Sequence, residues 1–210
     1  MKKLFLTTGL LSVLAMPAFA ETKWFVGGSL GYAEPVFSDE LEDDIDDDFW
    51  DDESGNIAMS LTGGMRFGDY NKIYNGGVSA TLSYMPELGK ISDGDANPLY
   101  MHGEADFTAL YISYDNYIRI SGDSKCRTDF IASIGLGHGW VKERLKITGY
   151  GSESFDDNGM LAVLKIGFGG DFVWTGWGWT ATMNFIGLNA DDDADLQGSY
   201  GFDLGVKYTF

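Results

Sequence analysis

Apolar and polar residues alternate with a period of two along eight stretches of this 210-residue chain. That period is the mark of a strand, because successive side chains point to opposite faces. In the first stretch, residues 23–32, Trp24, Val26, Leu30 and Tyr32 fall on one side and Gly27, Ser29 and Gly31 on the other. The pattern returns over residues 56–68, 76–85, 129–140, 160–172, 177–185 and 198–210. In a further stretch, 107–117, Leu110, Ile112 and Tyr114 are read as the apolar face, although the opposite phase is nearly as regular. The last stretch sets Tyr200, Phe202, Leu204, Val206, Tyr208 and Phe210 against Gly201, Asp203, Gly205, Lys207 and Thr209.

The connections alternate too. Long ones are expected over 33–55, 86–102, 142–158 and 189–198, and short ones at DYNKIY, SGDSK and VWTG. An even number of antiparallel strands with short turns at one end and long loops at the other is the layout of an outer-membrane barrel. The predicted fold is all-β: an eight-stranded antiparallel up-and-down transmembrane β-barrel with short periplasmic turns and long acidic extracellular loops. A soluble sandwich would have to expose one of its two faces, and the apolar one would aggregate. In lipid that face is in its proper solvent. The inward glycines would leave room for larger inward side chains, since eight strands enclose only a side-chain-wide lumen. Trp24, Tyr32, Phe67, Tyr84, Trp140, Trp177 and Trp179 lie near strand ends, where rings favour the membrane interface.

Composition sharpens this picture. Residues 1–20 read as a cleaved secretory signal peptide: Lys2 and Lys3, an apolar run, then Ala18-Phe19-Ala20. Residues 21–210 are then the barrel domain. Removing Lys2 and Lys3 leaves 12 basic residues against 32 acidic ones, a net −20. That balance excludes nucleic acid as a partner, which needs clustered Lys and Arg. Cys126 is the single cysteine, so no internal disulfide forms, and it is read as a free thiol. No mature segment approaches the ~20 apolar residues of a membrane helix, so any crossing is by strands.

Over its whole mature length the chain resembles the family of small eight-stranded outer-membrane barrels of the OmpA and OmpX type. The resemblance rests on the signal peptide, the repeated strands and the closing G-V-K-Y-T-F. That ending, with Tyr208 and Phe210, looks like the C-terminal signal read by barrel-insertion machinery. The resemblance implies a Gram-negative outer membrane and contact with its lipid and lipopolysaccharide. The class holds anchors, adhesins and enzymes alike, so it names no function.

Five inward charges invite pairing. Lys165 and Asp203 share one predicted depth, and Arg66, Asp171 and Lys207 share a lower one, which points to a polar plug because a buried unpaired charge is costly. The histidines look unsuited to joint catalysis: with a turn near residue 122, His138 would lie opposite residue 106 and His102 opposite 142. His138 also shares the outward phase with Trp140, and it is followed by Gly139 and Trp140 rather than by a His-x-Ser motif.

Acids crowd the loops. Residues 33–55 hold 12 of the 32. Asp93, Asp95 and Asn97, and again Asp191, Asp193 and Asp195, place oxygens at alternate positions, which suits weak Ca²⁺ or Mg²⁺ binding. Neither run continues as a full EF-hand loop, and no other cofactor is expected. The sequence is read as a non-enzymatic barrel that anchors acidic surface loops for a structural role or for contact with an extracellular partner. A lipid A-modifying enzyme and a narrow ion-conducting pore stay open as alternatives.

Overall fold

A computed structural model describes residues 22–37, 56–68, 72–92, 101–122, 125–147, 151–172, 174–189 and 196–210. Eight strands run in chain order: β1 (Thr22–Phe37), β2 (Asn56–Phe67), β3 (Tyr74–Ser92), β4 (Met101–Gly122), β5 (Cys126–Ile147), β6 (Gly151–Phe172), β7 (Trp177–Asn189) and β8 (Leu196–Thr209). Each pairs antiparallel with the next, and β8 returns to β1, so the sheet closes with no free edge through its middle. Closure answers a physical demand, because lipid offers nothing to an unpaired N–H or C=O.

The register fixes the shape. Partners traced once around the ring lead from Phe25 through Gly64, Ser79, Ser113, Gly135, Val163, Ile186 and Ser199 to Pro35, ten residues further along β1. With eight strands, that stagger tilts each strand by about 40° from the barrel axis. All the strands described above as alternating take the expected phase: Leu110, Ile112 and Tyr114 face out, while Phe107, Tyr111 and Tyr117 are buried.

The exterior is a continuous apolar belt. On β5 it runs from Phe130 to Trp140, about 33 Å along the strand and ~25 Å along the axis once tilted, the height of a bilayer's hydrocarbon band. Trp24, Trp177, Tyr208 and Phe210 ring the end with the short turns; Tyr32, Tyr84 and Trp140 ring the other. The chain therefore crosses a membrane as a β-barrel.

The ring is tied shut at its turn end. The Trp24 N–H donates to the Phe210 carbonyl at 3.2 Å, and the Phe210 N–H donates to the Trp24 carbonyl at 2.9 Å. Deleting Phe210 removes both bonds and an exposed interfacial ring, at ~1 kcal/mol per bond. The folded, heat-resistant band on a gel should then weaken. An unchanged band would mean that the rest of the β1–β8 seam suffices.

Two sequence expectations change. The expected loop 142–158 is mostly strand, since β5 continues to Ile147 and β6 begins at Gly151. Likewise β3 runs to Ser92 and β4 starts at Met101, inside the expected loop 86–102. Apolar alternation stops where the lipid stops, but a hydrogen-bonded ladder does not need greasy side chains once it is in water. The signal-peptide segment and the acidic run after Phe37 lie outside the described residues.

Candidate functional site

Inside, the lumen is layered. Nearest the turns is a knot of charges. Asp129 accepts from Arg66 Nη2 at 2.9 Å and from Arg127 Nε at 2.6 Å. Asp171 accepts from Arg66 Nη1 at 3.1 Å, and Lys207 Nζ lies 2.9 Å from its other oxygen, an ion pair by distance though poorly aligned for a hydrogen bond. Both cations also lean on one ring: the Arg66 guanidinium sits 4.2 Å from the Tyr117 centroid and the Lys207 ammonium 5.6 Å. Strand geometry puts these groups together, because Arg127 and Asp171 are register partners across β5 and β6. Arg66, Asp171 and Lys207 thus meet in one network. Its hub, Asp129, and the fully buried Arg127 were not singled out in the sequence. Both sit on the inward phase of β5, two residues apart, which was the available signal.

Above the knot lies a cavity of about 90 Å³ faced by hydroxyls. Ser29 and Ser60 bond at 2.7 Å, Thr62 and Thr81 at 3.0 Å, and Ser79 and Ser113 at 2.9 Å. Asp115 accepts from Ser79 at 2.8 Å and Ser113 at 3.2 Å. Lys165 and Asp203 both face this cavity, but no ion pair joins them among the described contacts. Asp203 instead takes a hydrogen bond from the Asn184 amide, and the Lys165 ammonium stands 4.8 Å from the Tyr111 ring centroid. Among the described residues, Arg66, Arg127, Lys165 and Lys207 share the lumen with Asp115, Asp129, Asp171 and Asp203, which limits the field inside.

The half of the lumen nearest the loops is apolar. Met85, Leu88, Phe107, Tyr111, Val141 and Leu161 form the centre of one buried cluster. Gly139 makes space for it: a Cβ there would press on Leu188 at 2.8 Å and Phe107 at 2.9 Å. A bulge in β3 completes the seal. Met85 pairs with Phe107 and Gly89 with Ala105, so Pro86, Glu87 and Leu88 stand opposite Asp106 alone. Glu87 adopts a left-handed conformation, φ 48°, and its N–H donates to Asp106 at 3.0 Å. The extra residues turn Leu88 inward, where it is fully buried.

Beyond the belt, β3 to β6 continue as a projecting sheet. From Trp140 to Ile147 the β5 strand climbs about 18 Å more. Its outer face is a charge ladder, with Lys142 between Asp106 and Asp156 and Arg144 bonded to Asp106 at 2.8 Å. Among the described residues β7 first meets β6 at Met160, so the β6 edge over Gly151–Gly159 has no partner strand on that side.

The remaining predicted residues scatter. His138 pairs with Leu110, not residue 106, and His102 with Lys146, not 142. The turn falls later than expected, after Gly122 in a positive-φ conformation, with a bulge between Arg119 and Ser121. The histidines are therefore eight residues apart along β4, further than the sequence reading placed them. His138 packs edge-on against Trp140 at 4.7 Å, in the interfacial ring. Asp93, Asp95, Asn97, Asp191, Asp193 and Asp195 lie outside the described residues. Among those described, no three acidic, histidine or cysteine side chains gather as metal ligands. Cys126, half-buried at the start of β5, is in no disulfide.

No family model and no curated protein matches this chain. Solved structures similar to it are membrane barrels. Ail, the attachment invasion locus protein of Yersinia pestis, is 15% identical with a TM-score of 0.42, covering 91% of this chain and 99% of its own. Neisserial surface protein A is 12% identical with a TM-score of 0.46, covering 89% and 97%. The N-terminal β-barrel domain of Pseudomonas aeruginosa OprF is 15% identical with a TM-score of 0.37, covering 91% and 99%. At such identities the likeness is one of fold.

Proposed function

We propose that this protein is a non-enzymatic outer-membrane barrel whose projecting sheet makes contacts outside the cell. The observation that carries the reading is the β6 edge, Gly151–Gly159, which no described strand pairs on its outer side and which stands above the aromatic ring on a four-stranded base. Such an edge offers backbone N–H and C=O groups in a row, the template for adding an extended strand. Glu153, Asp156 and Asp157 line it, so the fitting partner is an extended segment rich in Lys and Arg. The same acids keep the edges of two copies apart.

Two rival readings are disfavoured on specific grounds. Catalysis at His138 would have to work from a ring wedged between Trp140 and lipid. Ion flow would have to cross the apolar cluster around Phe107 and Leu88. The acidic runs at 93–97 and 191–195 would add weak divalent binding that bridges to lipopolysaccharide phosphates.

The test replaces residues 143–155 with a two-residue Asn-Gly turn, in vesicles carrying the barrel. A lysine-rich peptide of alternating apolar pattern should bind the full protein and not the trimmed one. A version with proline at every second position, which cannot donate to a ladder, should not bind either. Equal binding of the proline peptide, or of the trimmed barrel, would refute the edge as the contact.

A further inference from the structure

The belt is not smooth. A groove of about 830 Å³ runs across the outer face of β8, β1, β2 and β3, walled by Leu30, Leu61, Leu82 and Leu204, with Tyr84 at its upper end. Gly28 forms its floor. The register explains the hollow: Gly28 is flanked by Leu61 on β2 and Val206 on β8, so the missing side chain lies between two branched ones. A Cβ at Gly28 would stand 3.3 Å from the Ser60 carbonyl oxygen, a tight contact that a shift of a few tenths of an ångström relieves, and 3.6 Å from Leu61 Cδ2, an ordinary one.

We infer that this groove holds one acyl chain of a membrane lipid as a bound ligand, with Tyr84 positioned to meet the lipid's ester or headgroup. Three observations favour that occupant. The groove lies within the apolar belt, below the ring that contains Tyr32, Tyr84 and Trp140, so only hydrocarbon or another membrane protein reaches it. Its lining is dominated by Leu, Met and Val side chains, with Gly28, Gly205, Ser29 and Ser60 between them, and offers methylene groups a largely apolar surface. A second copy of this chain fits poorly, because parallel neighbours in one membrane would bring together two copies of a sequence that carries 11 acids between β1 and β2, in residues 38–55. An uncharged chain meets no such repulsion. In lipid the gain comes from packing and not from leaving water, so it depends on the groove's shape.

The inference rests on the barrel spanning a membrane, and the experiment separates the two. The full barrel is extracted in mild detergent and weighed intact by native mass spectrometry, alongside Gly28→Leu and Gly187→Leu. Gly187 also faces out, on β7, and an added Cβ there meets nothing within 4 Å, so it is a like substitution away from the groove. One lipid should remain on the wild type and on Gly187→Leu. Gly28→Leu fills the floor and removes about ten carbon contacts, so retention should fall roughly tenfold. Folded barrels without lipid, or equal retention in all three, would overturn the groove as a lipid site while leaving the membrane fold intact. A dimer lost only in Gly28→Leu would overturn it in favour of a second copy. A wild-type protein that stays folded and monomeric without detergent would instead refute the membrane reading itself.

Discussion

Replacing Asp129 with alanine is expected to destabilise the barrel by about 3–5 kcal/mol, the usual cost of removing one partner from a buried ion pair. Asp129 is the hub of the lumen, where its two oxygens serve Arg66 and Arg127. Its loss takes from Arg66 and Arg127 the carboxylate they share, in a lumen sized for side chains only. The cation Arg127, fully buried, has the least access to compensating water. Asp129→Asn should fall between, because it keeps the shape and one acceptor but not the charge. Unfolding in urea with lipid vesicles, followed by the gel shift of the folded band, measures both. A cost below ~1 kcal/mol would mean that water screens these charges as it does on a surface, and the knot would not be a structural element.

The sheet was legible because lipid and lumen impose opposite chemistries on alternate residues. Every strand in the belt carries that signature, and the phase of β4 follows from Leu110, Ile112 and Tyr114 facing hydrocarbon. Above the belt both faces meet water, the alternation disappears, and Lys142, Arg144 and Asp156 read as loop although they pair in register. The same loss of signal hid the bulge at Glu87, which only the register of Met85 and Gly89 reveals. Turn length set the histidine error: one bulge near Arg119 and a turn centred past Gly122 displaced the pairing by four residues.

The interior was half legible. Inward charges low on the strands, Arg66, Asp171 and Lys207, were visible as isolated polar residues on an otherwise small-residue face. Asp129 opens the alternating stretch 129–140 and Arg127 precedes it, so neither stands out as a lone charge within a small-residue face. The apolar seal was missed for a different reason. Phe107, Leu161, Val163, Ile186 and Leu188 occupy the lumen phase near strand ends, where both faces are apolar and period two fades. A run without alternation there means burial on both sides, with lipid outside and packed side chains within.

That seal leads to the second large effect. Phe107→Ala is expected to cost about 3–5 kcal/mol, the range for truncating a buried phenylalanine. Phe107 is fully buried, touches the space left by Gly139, and pairs with Met85 at the foot of the β3 bulge. The cavity it leaves is walled by Leu161, Leu188 and Val141, so it should stay dry and uncollapsed. Leu88 rests on the same cluster, and its bulge is held by Asp106, whose carboxylate also takes Arg144. Because that latch is independent of the ring, the bulge should survive the truncation and keep the lumen closed. Planar bilayers containing the variant should therefore remain non-conducting, as the wild type should. Steady ion current through the wild type would make the apolar cluster a gate rather than a seal and restore the pore reading. Current through Phe107→Ala alone would show that a single ring closes the barrel and that the bulge at Leu88 adds nothing to closure.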